Sequence, residues 1–161
     1  MEIVEDWLDI GLGEFLDRPL FCFLTQHSDD GARISPLWYL WEEEIVWLIA
    51  QLPERSYPER VRQFPQSAIA IVEFEPEKGA VRHVGMRGEA TLESFDQDRA
   101  ERLLRRYLGD DKTEWDDGFI GLGGENYRLI RLEPETVVAR GGKHDTGLGQ
   151  QAPSGSMEDQ T

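Results

Sequence analysis

The first apolar pattern of the chain has a helical period. It predicts a helix over residues 4–17, which Pro19 prevents from continuing. The apolar positions that recur at helical spacing are Val4, Leu8, Leu12 and Phe15. After Pro19 the period shortens to that of β-strands. Three strands are predicted as a meander, LFCFLTQ, ARISPLWYLW and IVWLIAQL, joined by the turn HSDDG and the acidic tip EEE.

The rest of the chain alternates between strand and helix patterns. YPERVRQF predicts a short helix, SAIAIVEFE and AVRHVGMRGEATLE predict the fourth and fifth strands, and SFDQDRAERLLRRYLG predicts a second long helix. NYRLIRLEPETVVAR is the sixth strand. The fold class expected is mainly β (α+β). Six antiparallel strands of this length tend to close into a barrel, because closure removes exposed edges.

The domain organisation follows from where periodicity stops. Residues 1–142 are predicted to form one domain. Residues 143–161, rich in Gly, Gln and Ser, are predicted to be a flexible tail because they carry too few apolar side chains to pack.

Three residues inside predicted strands carry positional information. Pro36 cannot donate a hydrogen bond to a sheet ladder, so the second strand is expected to lie at an edge or contain a bulge. Gly85 and Gly88 in the fifth strand indicate a bulge or a close approach of another backbone segment.

The charge balance limits the partners that are expected. The 161 residues include 32 acidic and 17 basic side chains, a formal net charge of -15, which would repel a nucleic acid backbone. No apolar run is long enough to span a bilayer, so no membrane partner is expected and a cytoplasmic location is predicted. The acidity fits adaptation to high salt and an ordinary acidic surface equally well. The single cysteine, Cys22, lies between aromatic residues and is predicted to be a buried, unreactive thiol.

Against this acidic background, three arginines gather in LPERSYPERVRQFPQ, residues 52–66. Arg55, Arg60 and Arg62 lie around Ser56, just after a predicted strand. One interpretation is a solvated helix face whose arginines pair with neighbouring acids. The other is a phosphate site, because a helix start, a hydroxyl and arginines together recognise phosphate. The three histidines lack the spacing of metal ligands, so no metal site is predicted.

The order of these segments resembles a known family. The stretch FLDRPLFCFLTQHSDDGARISPLWYLWEEEIVWLIAQLPERSYPERVRQFPQSAIAIVEF, followed by RHVGMRGEATLE, is similar to the pyridoxamine 5′-phosphate oxidase-like family of FMN-binding split β-barrels. The resemblance covers residues 15–140. It implies a six-stranded antiparallel split β-barrel with flanking helices. It also implies a homodimer with two flavin sites at the subunit interface.

The resemblance further implies which residues hold the cofactor. The second strand would run along the flavin ring, the end of the third would approach the ribityl phosphate, the arginine segment would hold the phosphate, and a polar residue of the fifth would contact the flavin edge. In that order the residues are Ile34, Ser35, Pro36, Leu37 and Trp38; Ile49 and Ala50; Arg55, Ser56, Arg60 and Arg62; and His83.

The chain departs from the family pattern at three places. The usual Ser-Arg-Lys is Ser-Tyr-Pro, the usual Thr-Asn is Ile49-Ala50, and RGGKH has the wrong spacing for the Arg-x-His that recognises the pyridoxal ring. The prediction is therefore an FMN-dependent oxidoreductase acting on an unidentified small molecule. A true pyridoxamine phosphate oxidase stays a sub-case, against which the missing Arg-x-His argues. The alternatives are a deazaflavin-dependent reductase, a non-catalytic flavin-binding or storage module, and a cofactor-free interaction module. No catalytic residue is assigned.

Overall fold

In the computed structural model, residues 1–53 and 56–142 are described, and they form one sheet flanked by three helices. The strands are β1 (Glu2–Leu8), β2 (Cys22–Gln26), β3 (Arg33–Leu37), β4 (Leu40–Glu42), β5 (Ile45–Gln51), β6 (Gln66–Glu75), β7 (Ala80–Ser94) and β8 (Tyr127–Gly142). The helices are α1 (Leu12–Leu16), α2 (Tyr57–Gln63) and α3 (Gln97–Leu108). The predicted tail, 143–161, lies outside the described residues.

The connection between β3 and β4 forces the sheet to curl. Hydrogen bonding follows the order β3-β2-β6-β7-β8-β5-β4, so β3 and β4 are at opposite ends. In a flat sheet these ends would be ~29 Å apart, at ~4.8 Å per strand spacing. The link between them contains only Trp38 and Tyr39, and the three residue steps that it makes reach ~11 Å. The sheet therefore closes into a barrel that is split between β3 and β4, which confirms the mainly β, split-barrel fold class.

The predicted helix over residues 4–17 is wrong in its first half. Residues 2–8 form β1, which pairs in parallel with β8 from Thr136 to Gly141. β8 extends past its pairing with β5, which ends at Leu132, and the backbone groups beyond that point need partners. Pairing with β8 therefore outweighs the local helical period of this segment. Its second half does form a helix, α1, which buries Phe15 and Leu16.

The predicted meander of three strands is also wrong, because ARISPLWYLW breaks at Trp38 and Tyr39 into β3 and β4. β3 pairs with β2, and β4 pairs with β5 on the other side of the split. The fully buried Tyr39 fixes the break: its hydroxyl donates to the carbonyls of Leu16, at 2.9 Å, and Arg18, at 3.1 Å. Arg106 of α3 donates to the same two carbonyls and lies over the Tyr39 ring. With β1 added and this strand divided, eight strands replace the six predicted.

Two predictions from single residues are confirmed. Pro36 lies in β3, an edge strand that pairs only with β2 among the described residues. The ladder between β7 and β8 shifts register between Arg87 and Gly88. A Cβ atom on Gly88 would lie 2.0 Å from the carbonyl oxygen of Glu133, so the close approach requires glycine. Around Gly85 an added Cβ would meet nothing within 4 Å.

The apolar side chains form two clusters. One fills the barrel, with Leu24, Leu48, Ile71 and Ile130 among its members. The other packs α3 against the outside of β4, β5 and β8. α3 begins where the Asp96 carboxylate accepts a hydrogen bond from the backbone N–H of Arg99. None of the helices within residues 1–53 and 56–142 is long and apolar enough to cross a membrane.

Candidate functional site

The guanidinium of Arg60, on α2, is held by three polar side chains from separate parts of the chain. Its Nε donates to Oε1 of Gln26 at 3.0 Å, one Nη donates to Oγ of Ser56 at 2.9 Å, and the other donates to Oγ of Ser35 at 3.5 Å. Gln26 is 2% exposed, and its amide Nε2 donates to the backbone carbonyl of Tyr57 at 3.0 Å. Arg60 is therefore fixed at the junction of β2, β3 and the start of α2.

A second arginine lies near this group. Arg33 is opposite Gln26 in the β2–β3 hairpin. The pKa of Arg60 is lowered by its burial, which is the larger cause, and by the charge of Arg33. Arg33 forms an ion pair with the exposed Asp30 at 3.7 Å. Within residues 1–53 and 56–142, Arg60 forms no ion pair with a carboxylate. We call Gln26, Arg33, Ser35, Ser56 and Arg60 the arginine–serine cluster.

The composition of this cluster fits an anion. Two guanidinium groups repel one another and lack full compensation, and the hydroxyl groups of Ser35 and Ser56 lie beside them. A phosphate or carboxylate placed here would accept charge-assisted hydrogen bonds and relieve the repulsion. Sequence reasoning identified Ser35, Ser56 and Arg60 but missed Arg33 and Gln26. The available signal was alternation, since Arg33 is two positions before Ser35 and shares its strand face.

A pocket of about 350 Å³ is lined by Pro36 and Tyr57, which follow the cluster residues Ser35 and Ser56 in the chain. The segments that line it are the residue before β2, β3 and the link after it, β5, α2, α3, the connection from α3 to β8, and the first residue of β8. The lining residues are Phe21, Pro36, Leu37, Trp38, Ile49, Gln51, Tyr57, Leu103, Leu104, Gly118, Phe119, Leu122 and Tyr127. All of these side chains are uncharged, and many are aromatic.

The aromatic wall of the pocket is held by ring stacking. Trp38 stacks on Tyr107 with centroids 4.6 Å apart and on Phe119 with centroids 5.5 Å apart, both at small interplanar angles. Tyr39, the next residue, is fully buried and does not line the pocket. On the opposite wall the hydroxyl of Tyr57 donates to the carbonyl of Ile49 at 2.9 Å.

The other residues predicted for the cofactor site lie at varying distances from this centre. Leu37, Trp38 and Ile49 line the pocket, as does Pro36, whereas Ala50 is buried in the barrel core. Ile34 is 65% exposed and points away from the barrel interior.

Two of the predicted residues are not brought into the cluster, and one is outside the described residues. Arg62 forms an ion pair with Glu59 at 2.5 Å and lines a different cavity from the one beside Arg60. His83 faces outward on β7, three strands from β3, which is ~14 Å along the sheet. Arg55 lies outside the residues that the structure describes.

The outward face of the sheet from β3 to β7 carries several apolar side chains, with Thr25 and Arg87 as exposed polar neighbours. Strand register places Pro36 beside Phe23, Phe23 beside Ala70, and Val72 beside His83. The large exposed apolar side chains on or next to this face, which we call the outer sheet face, are Phe21, Ile34, Val72 and Phe74. Contiguous exposed apolar surface is typical of an interaction site.

In the described part of the chain, no group of three or more His, Cys, Asp or Glu side chains is arranged to hold a metal ion. Burial raises the pKa of the Cys22 thiol to about 12, as expected for an unreactive thiol in the barrel core.

Comparison with known proteins supports the fold. No protein-family model and no curated protein matches the chain by sequence. An F420 reductase matches with TM-score 0.60 and 19% identity, over 81% of this chain and 98% of that chain. A candidate pyridoxamine 5′-phosphate oxidase from Listeria innocua has TM-score 0.60 and 19% identity, over 80% and 94%. A conserved hypothetical protein from Mycobacterium tuberculosis has TM-score 0.68 and 15% identity, over 94% and 95%. The chain therefore has the split-barrel fold of pyridoxamine 5′-phosphate oxidase-like proteins.

Proposed function

We propose that this protein binds a phosphorylated flavin-type cofactor, FMN or a deazaflavin, and acts as a homodimeric oxidoreductase on a small molecule. The observation that carries the proposal is Arg60. It is a partly buried guanidinium without a carboxylate partner in the described ranges, held by Gln26 and two serines beside Arg33. When bound, such a cofactor supplies hydride transfer, while the protein supplies position and electrostatics.

The residues of the arginine–serine cluster have separate roles in this proposal. Arg33 and Arg60 neutralise the cofactor phosphate, and the hydroxyl groups of Ser35 and Ser56 donate hydrogen bonds to it. Gln26 is a positioning residue: its oxygen accepts from Nε of Arg60 while its amide is anchored on the carbonyl of Tyr57. Gln26 therefore orients the guanidinium toward the two serines.

The flavin ring is assigned to the segment from Ile34 to Trp38. Among the described residues, β3 has a strand partner on one edge, so the backbone groups on its other edge are available to the polar rim of a ring. Leu37 and Ile49 provide apolar surface in the adjoining pocket and exclude water from the ring.

Two structural neighbours support a redox role by their names, F420 reductase and candidate pyridoxamine 5′-phosphate oxidase. The arginine–serine cluster suits FMN and a deazaflavin alike, because both carry a phosphate on the ribityl chain. The F420 reductase neighbour makes the deazaflavin the second candidate cofactor.

The homodimer is assigned to the outer sheet face. Burying exposed Val72 and Phe74 against a second copy removes apolar surface from water. His83 lies on this face, too far from the arginine–serine cluster of its own chain, so its proposed contact is with the cofactor of the partner. The variant Val72→Glu/Phe74→Glu is expected to be a monomer in analytical ultracentrifugation. Ile120→Glu, an equally exposed apolar position elsewhere, should leave the dimer intact.

The cofactor assignment is tested by titrating the full chain with FMN and following flavin fluorescence. Arg60→Ala should weaken FMN binding by roughly 10- to 100-fold, the value of one charge-assisted hydrogen-bonding group. Arg62→Ala is the matched control on the same helix and should stay within about twofold, since Arg62 pairs with Glu59. Riboflavin, which lacks the phosphate, should bind weakly to wild type and to Arg60→Ala alike.

Several outcomes would contradict the proposal. Equal FMN affinity in wild type and Arg60→Ala would contradict the assignment of the phosphate site to Arg60. A wild-type protein that binds neither FMN nor a deazaflavin would contradict the assignment of a flavin-type cofactor. Binding without reduction by NADH or NADPH in the presence of electron acceptors would indicate a flavin-binding module instead of an oxidoreductase.

A further inference from the structure

The pocket beside the arginine–serine cluster has two walls of different origin. One wall comes from β3 and β5 and is assigned above to the cofactor. The other comes from α3 and the connection after it, through Leu103, Leu104, Phe119 and Leu122. On the basis of the proposed function, we infer that this second wall binds the substrate, and that the substrate is an uncharged, planar molecule with aromatic surface. We call these four residues the distal wall.

The described lining of the pocket favours an uncharged substrate. Within residues 1–53 and 56–142, no Asp, Glu, Lys, Arg or His lines it. The polar side chains present are Gln51, Tyr57 and Tyr127, and the Tyr57 hydroxyl already donates to the carbonyl of Ile49. A carboxylate, phosphate or ammonium group placed against this surface would lose water without gaining a counter-ion, which is strongly unfavourable.

The cationic groups that a phosphorylated substrate needs are already assigned. Arg33 and Arg60 lie at the other end of the site, where the cofactor phosphate is proposed to bind. A molecule such as pyridoxamine 5′-phosphate would require a second cationic centre on the distal wall. Its residues instead match a neutral ligand that contributes apolar area.

The aromatic side chains of the lining indicate a ligand with aromatic surface. The pocket volume of about 350 Å³ is in the range of small-molecule sites. Phe119 stacks on Trp38 with centroids 5.5 Å apart, so the two walls meet where these rings contact each other. The backbone N–H of Gly118 donates to the Asp116 carboxylate at 2.9 Å, which fixes the turn that presents Phe119. A planar molecule makes the largest contact with rings held in this way.

Matched probes test the charge preference directly. The FMN-loaded full chain is titrated by calorimetry near pH 7 with 2-naphthol, which is neutral, and with 2-naphthoate, which has the same rings and a carboxylate. We expect 2-naphthol to bind at least about tenfold more tightly, because the carboxylate would be desolvated without a partner.

Substitutions on the distal wall test the location. Leu122→Glu should weaken 2-naphthol by about tenfold or more, whereas Leu122→Arg should shift the preference toward 2-naphthoate by supplying the missing cation. The control is Ile120→Glu, two residues away, which is 50% exposed and does not line the pocket. It should leave both affinities within about twofold.

The outcomes separate this inference from the proposed function. Equal affinity for the two probes, or a Leu122→Glu variant that binds 2-naphthol as wild type does, would overturn the inference. Displacement of FMN by 2-naphthol would also overturn it, by identifying the whole pocket as the site of the cofactor ring, and would leave the proposed function standing. Failure of FMN to bind would contradict the proposed function, and the substrate assignment would fail too because it rests on that function.

Discussion

Arg82 and Arg60 are the same residue type in the same acidic chain, yet their surroundings are opposite. Arg82, on β7, is 5% exposed and lies among three carboxylates. It donates two hydrogen bonds to Asp9, at 2.7 and 2.9 Å, and one each to Glu73 and Glu75, both at 2.8 Å. Arg60 is held by neutral side chains, and its pKa is lowered by burial and then by the charge of Arg33.

The pKa values of Arg82 and Arg60 are shifted in opposite directions. Hydrogen bonds to Asp9, and then to Glu75, raise the pKa of Arg82, whereas burial and Arg33 lower the pKa of Arg60. The charge of Arg82 is thus fully compensated within the fold and ties the segment around Asp9 to β6 and β7. Among the described residues Arg60 has no carboxylate partner, which is why we propose that it binds an anion supplied from outside.

The largest effect expected from this comparison is on stability. Arg82→Met should lower the free energy of unfolding by about 2–3 kcal/mol, because it removes the hydrogen bonds that a buried guanidinium donates to three partly exposed carboxylates. Glu73 keeps its ion pair with Arg18, and Glu75 keeps its ion pair with Lys78. Urea denaturation measures the change. Arg131→Met, which breaks a more exposed pair with Glu133, is the control and should cost less than about 1 kcal/mol. Equal losses in the two variants would show that Arg82 does not hold the barrel together.

Acid should destabilise the protein by protonating a carboxylate that pairs with Arg82. Hydrogen bonds from Arg82, and then Lys78, lower the pKa of Glu75 below its ordinary value of 4.5. A lowered folded-state pKa contributes stability that is present above the unfolded pKa and is lost as pH falls through the folded pKa. The melting temperature, followed by circular dichroism, should therefore fall below about pH 4.5. It should fall less steeply in Arg82→Met, and parallel curves would contradict the assignment.

Inorganic phosphate should reveal the anion site by a smaller effect. At a concentration ten times its dissociation constant, a bound anion stabilises the folded state by about 1.4 kcal/mol. Thermal unfolding in phosphate, against chloride of equal ionic strength, should show this gain in wild type and in Arg62→Ala. The gain should be absent in Arg60→Ala. A gain that persists in Arg60→Ala would place the bound anion elsewhere or indicate a general salt effect.

The smallest effect expected is that of Arg60→Ala on stability without an anion. The free energy of unfolding should change by less than about 1 kcal/mol, since the substitution removes a charge that repels Arg33 along with its hydrogen bonds. Urea denaturation in anion-poor buffer measures it. A loss as large as that of Arg82→Met would show that Arg60 stabilises the fold as Arg82 does, and would contradict the difference inferred between the two arginines.

Local sequence patterns correctly predicted the helices and strands whose buried faces follow the hydrophobic period of their own segment. β2, β5, β6, β7 and β8, with α2 and α3, all appear where the sequence predicts them. The errors lie where contacts with residues distant in sequence determine the secondary structure. The edge of β8 recruits residues 2–8 into a strand, and the carbonyls of Leu16 and Arg18 together with Arg106 hold Tyr39 in a break between strands.

The candidate site was predicted in the same uneven way. Ser56 and Arg60 are neighbours along the chain, so their pairing was visible, and the family resemblance added Ser35. Gln26 and Arg33 are positioned by the β2–β3 hairpin, more than twenty residues before Arg60, and only the folded chain brings them together. Arg62 was grouped with Arg60 because it is close in sequence. Its position two residues along a helix turns it to another side, where it meets Glu59.

The amino-acid sequence by itself determined the mainly β class, an edge or bulge at Pro36, a bulge or close backbone approach at Gly88 and the acidic composition, because each depends on local period, backbone freedom or composition. The tertiary structure alone decided which arginine receives carboxylates and which does not. Both arginines have acidic residues near them in the sequence, Glu59 beside Arg60 and Glu75 before Arg82, so proximity along the chain does not predict which arginine pairs with a carboxylate. The counter-ions come from segments such as the one around Asp9, which reach Arg82 only after the barrel has closed. Electrostatic interactions decay with distance in space, and separation along the chain does not predict that distance.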